Sequence, residues 1–155
     1  MVSYSFNTSP DRESGLDDIL SELKKRNFLI VSSRRRNGLI IYKQHYAEFA
    51  GPGALVGGII DPDVTHLIPV GNWLLASPED ERERQRAILM RRQWIKLFNN
   101  TTTNTDPHNR VKLILNQFEN WFDPETVTEI PDDAIARLVG VLPETVIEVR
   151  KIGEW

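Results

Sequence analysis

The segment Asp133-Ala-Ile-Ala-Arg-Leu-Val-Gly-Val-Leu-Pro-Glu-Thr-Val-Ile-Glu-Val-Arg-Lys151 constrains the fold more than any other, because its apolar spacing fits two short helices folded across a tight turn. Ile135, Ala136 and Val139 fall on the inner face of the first helix, and Val146 and Val149 seal the second. Gly140 supplies the backbone freedom that the bend needs, with Val141 following it. Ala136 is small where the two axes cross, and Pro143 suits the first turn of the second helix. This is a helix-turn-helix pattern, a unit whose second helix usually enters the major groove.

At 155 residues, with 40% apolar and 26% charged side chains, the chain is long enough for one good core or two small units sharing an interface. It has no cysteine, which removes disulfides, thiolate metal sites and a cysteine nucleophile. No apolar stretch approaches bilayer length, and the first residues lack the basic head and apolar run of a secretory signal, so the expected location is cytoplasmic. Charge is divided unevenly. Residues 1–105 carry 14 basic and 12 acidic side chains, a net of +2, whereas residues 106–155 carry 5 and 10, a net of −5. The half that resembles a reader of DNA is therefore the acidic one.

Along the chain, the first 13 residues read as loose. Leu16, Ile19, Leu20 and Leu23 mark a helix over 15–26, ended by Asn27. Residues 28–33 and 39–43 read as a β-hairpin, with Asn37-Gly38 at its tight turn. Short apolar pieces at 54–60 and 64–70 follow between glycines and prolines. Ser77-Pro78 is a good cap for a long connector helix ending near Phe98, with Ile88, Leu89, Trp94 and Ile95 on its inner face. The polar run 99–106 marks a boundary before Pro107, which opens a helix carrying Val111, Leu113, Ile114, Leu115 and Phe118 and ending in Trp121 and Phe122. Residues 123–130 read as an extended link. The expectation is an α+β protein: a mixed N-terminal region with connector helix, 1–105, and a trihelical unit, 106–155.

Ile130-Pro131, Ala136-Arg-Leu-Val-Gly140 and Val141-Leu-Pro-Glu-Thr-Val146, preceded by a supporting helix, resemble the DNA-binding region of the CRP/FNR family of transcription regulators, over roughly residues 107–151. The resemblance implies a trihelical DNA-binding unit. It would also imply a β wing and a nucleotide-sensing barrel. The residues after Lys151 are too few for the former and residues 1–105 too short and poorly patterned for the latter, so nucleotide sensing is not carried over. The family usually has Ser or Thr where this chain has Leu142, which removes a side-chain cap worth about 1 kcal/mol.

Two functions follow as expectations. The first is a non-enzymatic, DNA-binding transcriptional regulator or accessory factor without a cofactor. Arg34, Arg35 and Arg36 would hold phosphates and Thr145, Arg150 and Lys151 would approach the groove, with dimerisation through the connector helix or the N-terminal half presenting two units. The second is a protein-binding adaptor, in which Leu142, Glu144, Ile147 and Glu148 form a mixed apolar and acidic patch. Arg82, Arg84, Arg86, Arg91, Arg92 and Lys96 make a second basic concentration, which Glu79, Asp80, Glu81 and Glu83 stand close enough to neutralise locally. His45, His66 and His108 lack metal-site spacing, Gly51-Pro-Gly53 and Gly57-Gly58 lack the lysine and hydroxyl of a phosphate loop, and no nucleophile pairs with a base. Asp61 and Asp63 flank Pro62 in a manner that a turn explains.

Overall fold

The computed structural model describes residues 3–5 and 12–155, with side-chain environments from Leu16 onward. Its strands are β1 Ser3–Ser5, β2 Phe28–Val31, β3 Asn37–Tyr42, β4 Ala47–Ala50, β5 Leu55–Gly57, β6 His66–Gly71 and β7 Leu74–Ala76. Its helices are α1 Arg12–Lys24, α2 Glu81–Thr102, α3 Pro107–Trp121, α4 Pro124–Glu129, α5 Asp132–Val139 and α6 Pro143–Ile152. The strands form two antiparallel sheets, ordered β1-β7-β2-β5 and β4-β3-β6. This is an α+β fold.

The run Leu39-Ile-Ile-Tyr42 organises it. All of β3 is buried, and alternation sends its side chains to opposite faces. Leu39 and Ile41 enter a core with Ile19 and Leu23 of α1, Leu29, Val31, Val56, Trp73 and Leu75. Ile40 and Tyr42 enter a second core with Phe49, Val70 and the apolar faces of α2, α3, α5 and α6. The helical C-terminal third thus shares a core with the three-stranded sheet. Phe49 lies at its centre, with Trp94, Phe98, Phe118, Trp121 and Phe122 at ring separations of 5.3–6.3 Å.

Several expectations are corrected. Strands β2 and β3 are not a hairpin: β2 pairs with β5 and β7, whereas β3 pairs with β4 and β6. Asn37 and Gly38 begin a strand instead of turning it. The Asn37 side chain is wholly buried, donating to the carbonyls of Ser32 (2.7 Å) and Arg35 (3.0 Å) and accepting from the Leu74 amide (3.1 Å), which ties the basic loop to both sheets. A side chain at Gly38 would meet the Phe49 ring at 2.3 Å, so close strand packing and not a positive φ explains this glycine. Within the expected loose N-terminus, Ser3–Ser5 pairs with β7, and residues 1–2 and 6–11 lie outside the described residues. Pro69 is accommodated because β6 is an edge strand.

The helical boundaries also move. The cap of α2 is Asp80, not Ser77, and its Oδ1 accepts from the Glu83 amide at 2.8 Å. The helix passes Phe98 and continues to Thr102, because the hydroxyls of Thr101, Thr102 and Thr103 bond back to the carbonyls of Leu97, Asn99 and Asn100 and satisfy the final turn. Arg91 lies on its buried face and Leu89 on its solvent face, the reverse of the apolar reading. Residues 123–130 are not an extended link: Asp123 caps α4 through the Thr126 amide at 2.8 Å and Pro124 fills its first turn.

Candidate nucleic-acid interface

The bend between α5 and α6 forms as the spacing predicts. Gly140 adopts a left-handed conformation (φ 69°), and the Val141 amide donates to the Ala136 carbonyl at 3.1 Å. Arg110 of α3 fixes the bend by donating to the carbonyls of Val139 (2.9 Å), Gly140 (3.1 Å) and Asn104 (2.8 Å). Ala134, Ile135, Ala136, Leu138, Val139, Val146 and Val149 are buried. The trihelical geometry of α3, α5 and α6 is present.

Its outer surface is another matter. Arg150, expected at a groove, turns inward: it donates to the carbonyls of Ile130 (2.8 Å) and Val127 (3.0 Å) and pairs with Asp132 at 2.6 Å. These bonds tie the end of α6 to the α4–α5 junction and leave the guanidinium few donors for a ligand. Thr145 is half-buried and lines a cleft of about 650 Å³ between the Gln44-His45-Tyr46 turn and the α5–α6 bend. Of the three residues expected at a groove, Lys151 alone is exposed. Leu142 is 70% exposed and Ile147 44%, with Glu144 and Glu148 beside them. Glu148 bonds His108 of α3 at 2.9 Å. The free side of α6 is apolar and acidic on balance, with two glutamates against the single cation Lys151.

In the basic loop, Arg34 and Arg36 are exposed, while Arg35 is half-buried and donates to Asn72 at 3.1 Å. The loop borders a hollow of about 340 Å³ whose opposite wall includes Asp123. Bonds from the amide and hydroxyl of Thr126, aided by the charge of Arg36, hold the Asp123 carboxyl below the usual range. A standing anion therefore faces the loop and weakens its positive field.

A larger basic surface lies on α2. Arg82, Arg86, Leu89, Gln93 and Lys96 recur at intervals of three or four along its solvent face, with Arg92 alongside, and all are exposed. Neutralisation by neighbouring acids was the expectation. Instead Arg84 takes Glu81 and lies over the Phe28 ring at 5.4 Å, and Arg91 is interior, while Arg82, Arg86, Arg92 and Lys96 form no ion pair among the described residues. The sequence held the signal: no acidic residue occurs between Glu83 and Asp106. No protein-family model, curated protein or solved structure matches the chain.

A buried charge cluster holds α2 in place. Arg91 pairs with Asp61 through two bonds (3.0 and 2.9 Å) and with Glu48 (2.7 Å), and donates to the Leu55 carbonyl (3.1 Å). Lys43 reaches Asp61 and Asp63, both at 2.9 Å, and the Gly57 amide donates to Asp61 at 2.7 Å. Burial alone would raise the Asp61 carboxyl, but the bonds and charge of Arg91, the Gly57 amide and Lys43 outweigh it and hold the pKa below the ordinary value. Burial likewise opposes the Lys43 charge, and the facing carboxylates more than restore it. The cations beside Asp61 and Asp63 are thus side chains of the protein. No group of three His, Cys, Asp or Glu suited to a metal occurs among the described residues, and no helix there is long and apolar enough to cross a membrane.

Proposed function

We propose that this chain is a non-enzymatic DNA-binding accessory protein that grips the phosphate backbone with the outer face of α2. The observation carrying this reading is the run of four exposed cations, Arg82, Arg86, Arg92 and Lys96, on a helix with no acid after Glu83. From Arg82 to Lys96 the helix rises about 21 Å, at 1.5 Å per residue. That length faces roughly 12 duplex charges, at one per 1.7 Å of axis. Gln85, Gln93 and Asn100 on the same face are neutral donors able to reach phosphate oxygens. Contacts of this kind position a protein on DNA without reading bases, and the acidic α6 adds little to base readout. The basic loop is a subsidiary contact, set against Asp123.

The test is the salt dependence of binding to a mixed-sequence duplex. Four phosphate contacts correspond to a slope of about −3.6 in log K against log salt. Changing Arg82, Arg86, Arg92 and Lys96 together to Gln is expected to remove about that much slope, with the far-ultraviolet circular dichroism unchanged. Should the slope survive that change and vanish on replacing Arg34, Arg35 and Arg36 by Ala, the grip belongs to the loop. An absence of binding at low salt would leave the adaptor reading, which Leu142 and Ile147 on α6 favour.

A further inference from the structure

The two unpartnered helix faces of this chain complement each other. On α2, Arg86 and Arg92 flank Leu89, which is 58% exposed. On α6, Glu144 and Glu148 stand beside Ile147, and Lys151 follows one turn after it. In each, an exposed apolar side chain sits among charges on a solvent-facing surface, and the net sign is opposite in the two. Leu142, at the head of α6, widens the apolar part of the acidic face. Within one molecule α2 covers β4 and β5 and meets α3 and α5, and α6 packs on those same two helices.

We infer that the acidic face of α6 docks onto the basic face of α2 in a second copy of this chain, and that this contact competes with polyanions for α2. The occupant follows from charge. The α6 face is acidic on balance, and the chain itself carries an exposed apolar side chain set among cations. Apolar side chains at the centre with charges around them are the arrangement that excludes water from a small contact while setting its register. The contact is head-to-tail, since each copy offers one face of each kind. Its products are therefore open chains, or rings that close at two copies or more. Two crossed helices make a small interface, so association is weak and depends strongly on salt. The competition with DNA rests on the proposed function, whereas the self-association stands without it.

Sedimentation velocity of the full chain tests the contact without nucleic acid. At about 0.02 M salt the average sedimentation coefficient is expected to rise with concentration over roughly 10–300 µM, and at about 0.3 M salt the rise is lost. Reversing either face, by Arg86→Glu with Arg92→Glu or by Glu144→Lys with Glu148→Lys, is expected to leave a monomer. Mixing the two reversed proteins is expected to restore association, because each then supplies the complement of the other. Matching circular dichroism melts confirm that the reversed proteins remain folded. A wild-type protein that stays monomeric throughout the range at low salt overturns the inference. Association that survives either reversal, or a mixture of reversed proteins that stays monomeric, overturns it equally. A mixed duplex is then added to the wild-type assembly. Dissolution supports competition for α2. A duplex that binds and leaves the assembly intact overturns the competition, and one that fails to bind overturns the proposed function while the self-association remains.

Discussion

Helices α2 and α6 are each amphipathic, yet they anchor themselves by different chemistry. The inner face of α6 is Val146 and Val149, wholly apolar, and its one inward cation, Arg150, closes the end of the helix by satisfying carbonyls. The inner face of α2 presents Ala87, Trp94 and Phe98, and among them Arg91, only 1% exposed and held by Asp61 and Glu48. An apolar face tolerates small shifts in register, whereas a guanidinium fixed by two carboxylates and a carbonyl does not. The strongly basic helix is thereby held in one rotation, with its free cations facing solvent together.

Removing Arg91 is the strongest way to break that comparison. Arg91→Met keeps much of the volume but leaves Asp61 with only the Lys43 charge and the Gly57 amide and takes from Glu48 its guanidinium partner, and is expected to destabilise the fold by about 3–5 kcal/mol. Val146→Ala in α6 only removes apolar volume. In urea unfolding followed by tryptophan fluorescence, the Arg91 change is expected to lower the midpoint further. If both variants unfold at the same midpoint, the charge cluster contributes no more than ordinary packing.

Acid sharpens the same contrast. Because the folded Asp61 carboxyl lies below its ordinary value of 3.8, its stabilising contribution is present above that value and is lost as pH falls through the lower folded one. The difference in unfolding free energy between wild type and Asp61→Asn is therefore expected to be constant near neutrality and to shrink below about pH 4. For a substitution confined to α6, such as Val146→Ala, the difference is expected to hold over that interval. A constant difference for Asp61→Asn down to pH 2 would separate its effect from its ionisation.

What the sequence made legible follows from how local each signal is. The α5–α6 bend rests on spacing within 19 residues and on Gly140, and these place its core residues correctly. The strand pairing was hidden because β2 and β3 are adjacent in sequence, carry similar apolar runs and frame an Asn-Gly pair, which together imitate a hairpin. Only the long-range bonds of Asn37 and the approach of Phe49 to Gly38 give a different reason for those residues. Arg91 was likewise grouped with the exposed cations of α2. Its partners lie 30 and 43 residues away, at Asp61 and Glu48, beyond any helical periodicity. Local spacing also hides where the neighbouring acids go: the carboxylates of Glu83 and Asp80 accept from the Glu79 and Glu83 amides in the first turn of α2, and Glu81 takes Arg84.

The smallest expected effect concerns the start of α6. Leu142 occupies the cap position with extended backbone and no side-chain bond, although Pro143 occupies the first turn and the Thr145 amide lies 3.0 Å from the Leu142 carbonyl. A serine there has the conformation needed to offer its Oγ to the free amides of that first turn. Leu142→Ser is accordingly expected to stabilise the fold by about 1 kcal/mol, read as a higher midpoint in urea. The gain is expected although an apolar side chain is removed, because Leu142 is already 70% exposed and contributes little burial. A lower midpoint would mean that Leu142 is covered in solution, and the sedimentation of the same variant then tells whether the cover is a second copy: loss of self-association together with the lower midpoint places Leu142 within that contact.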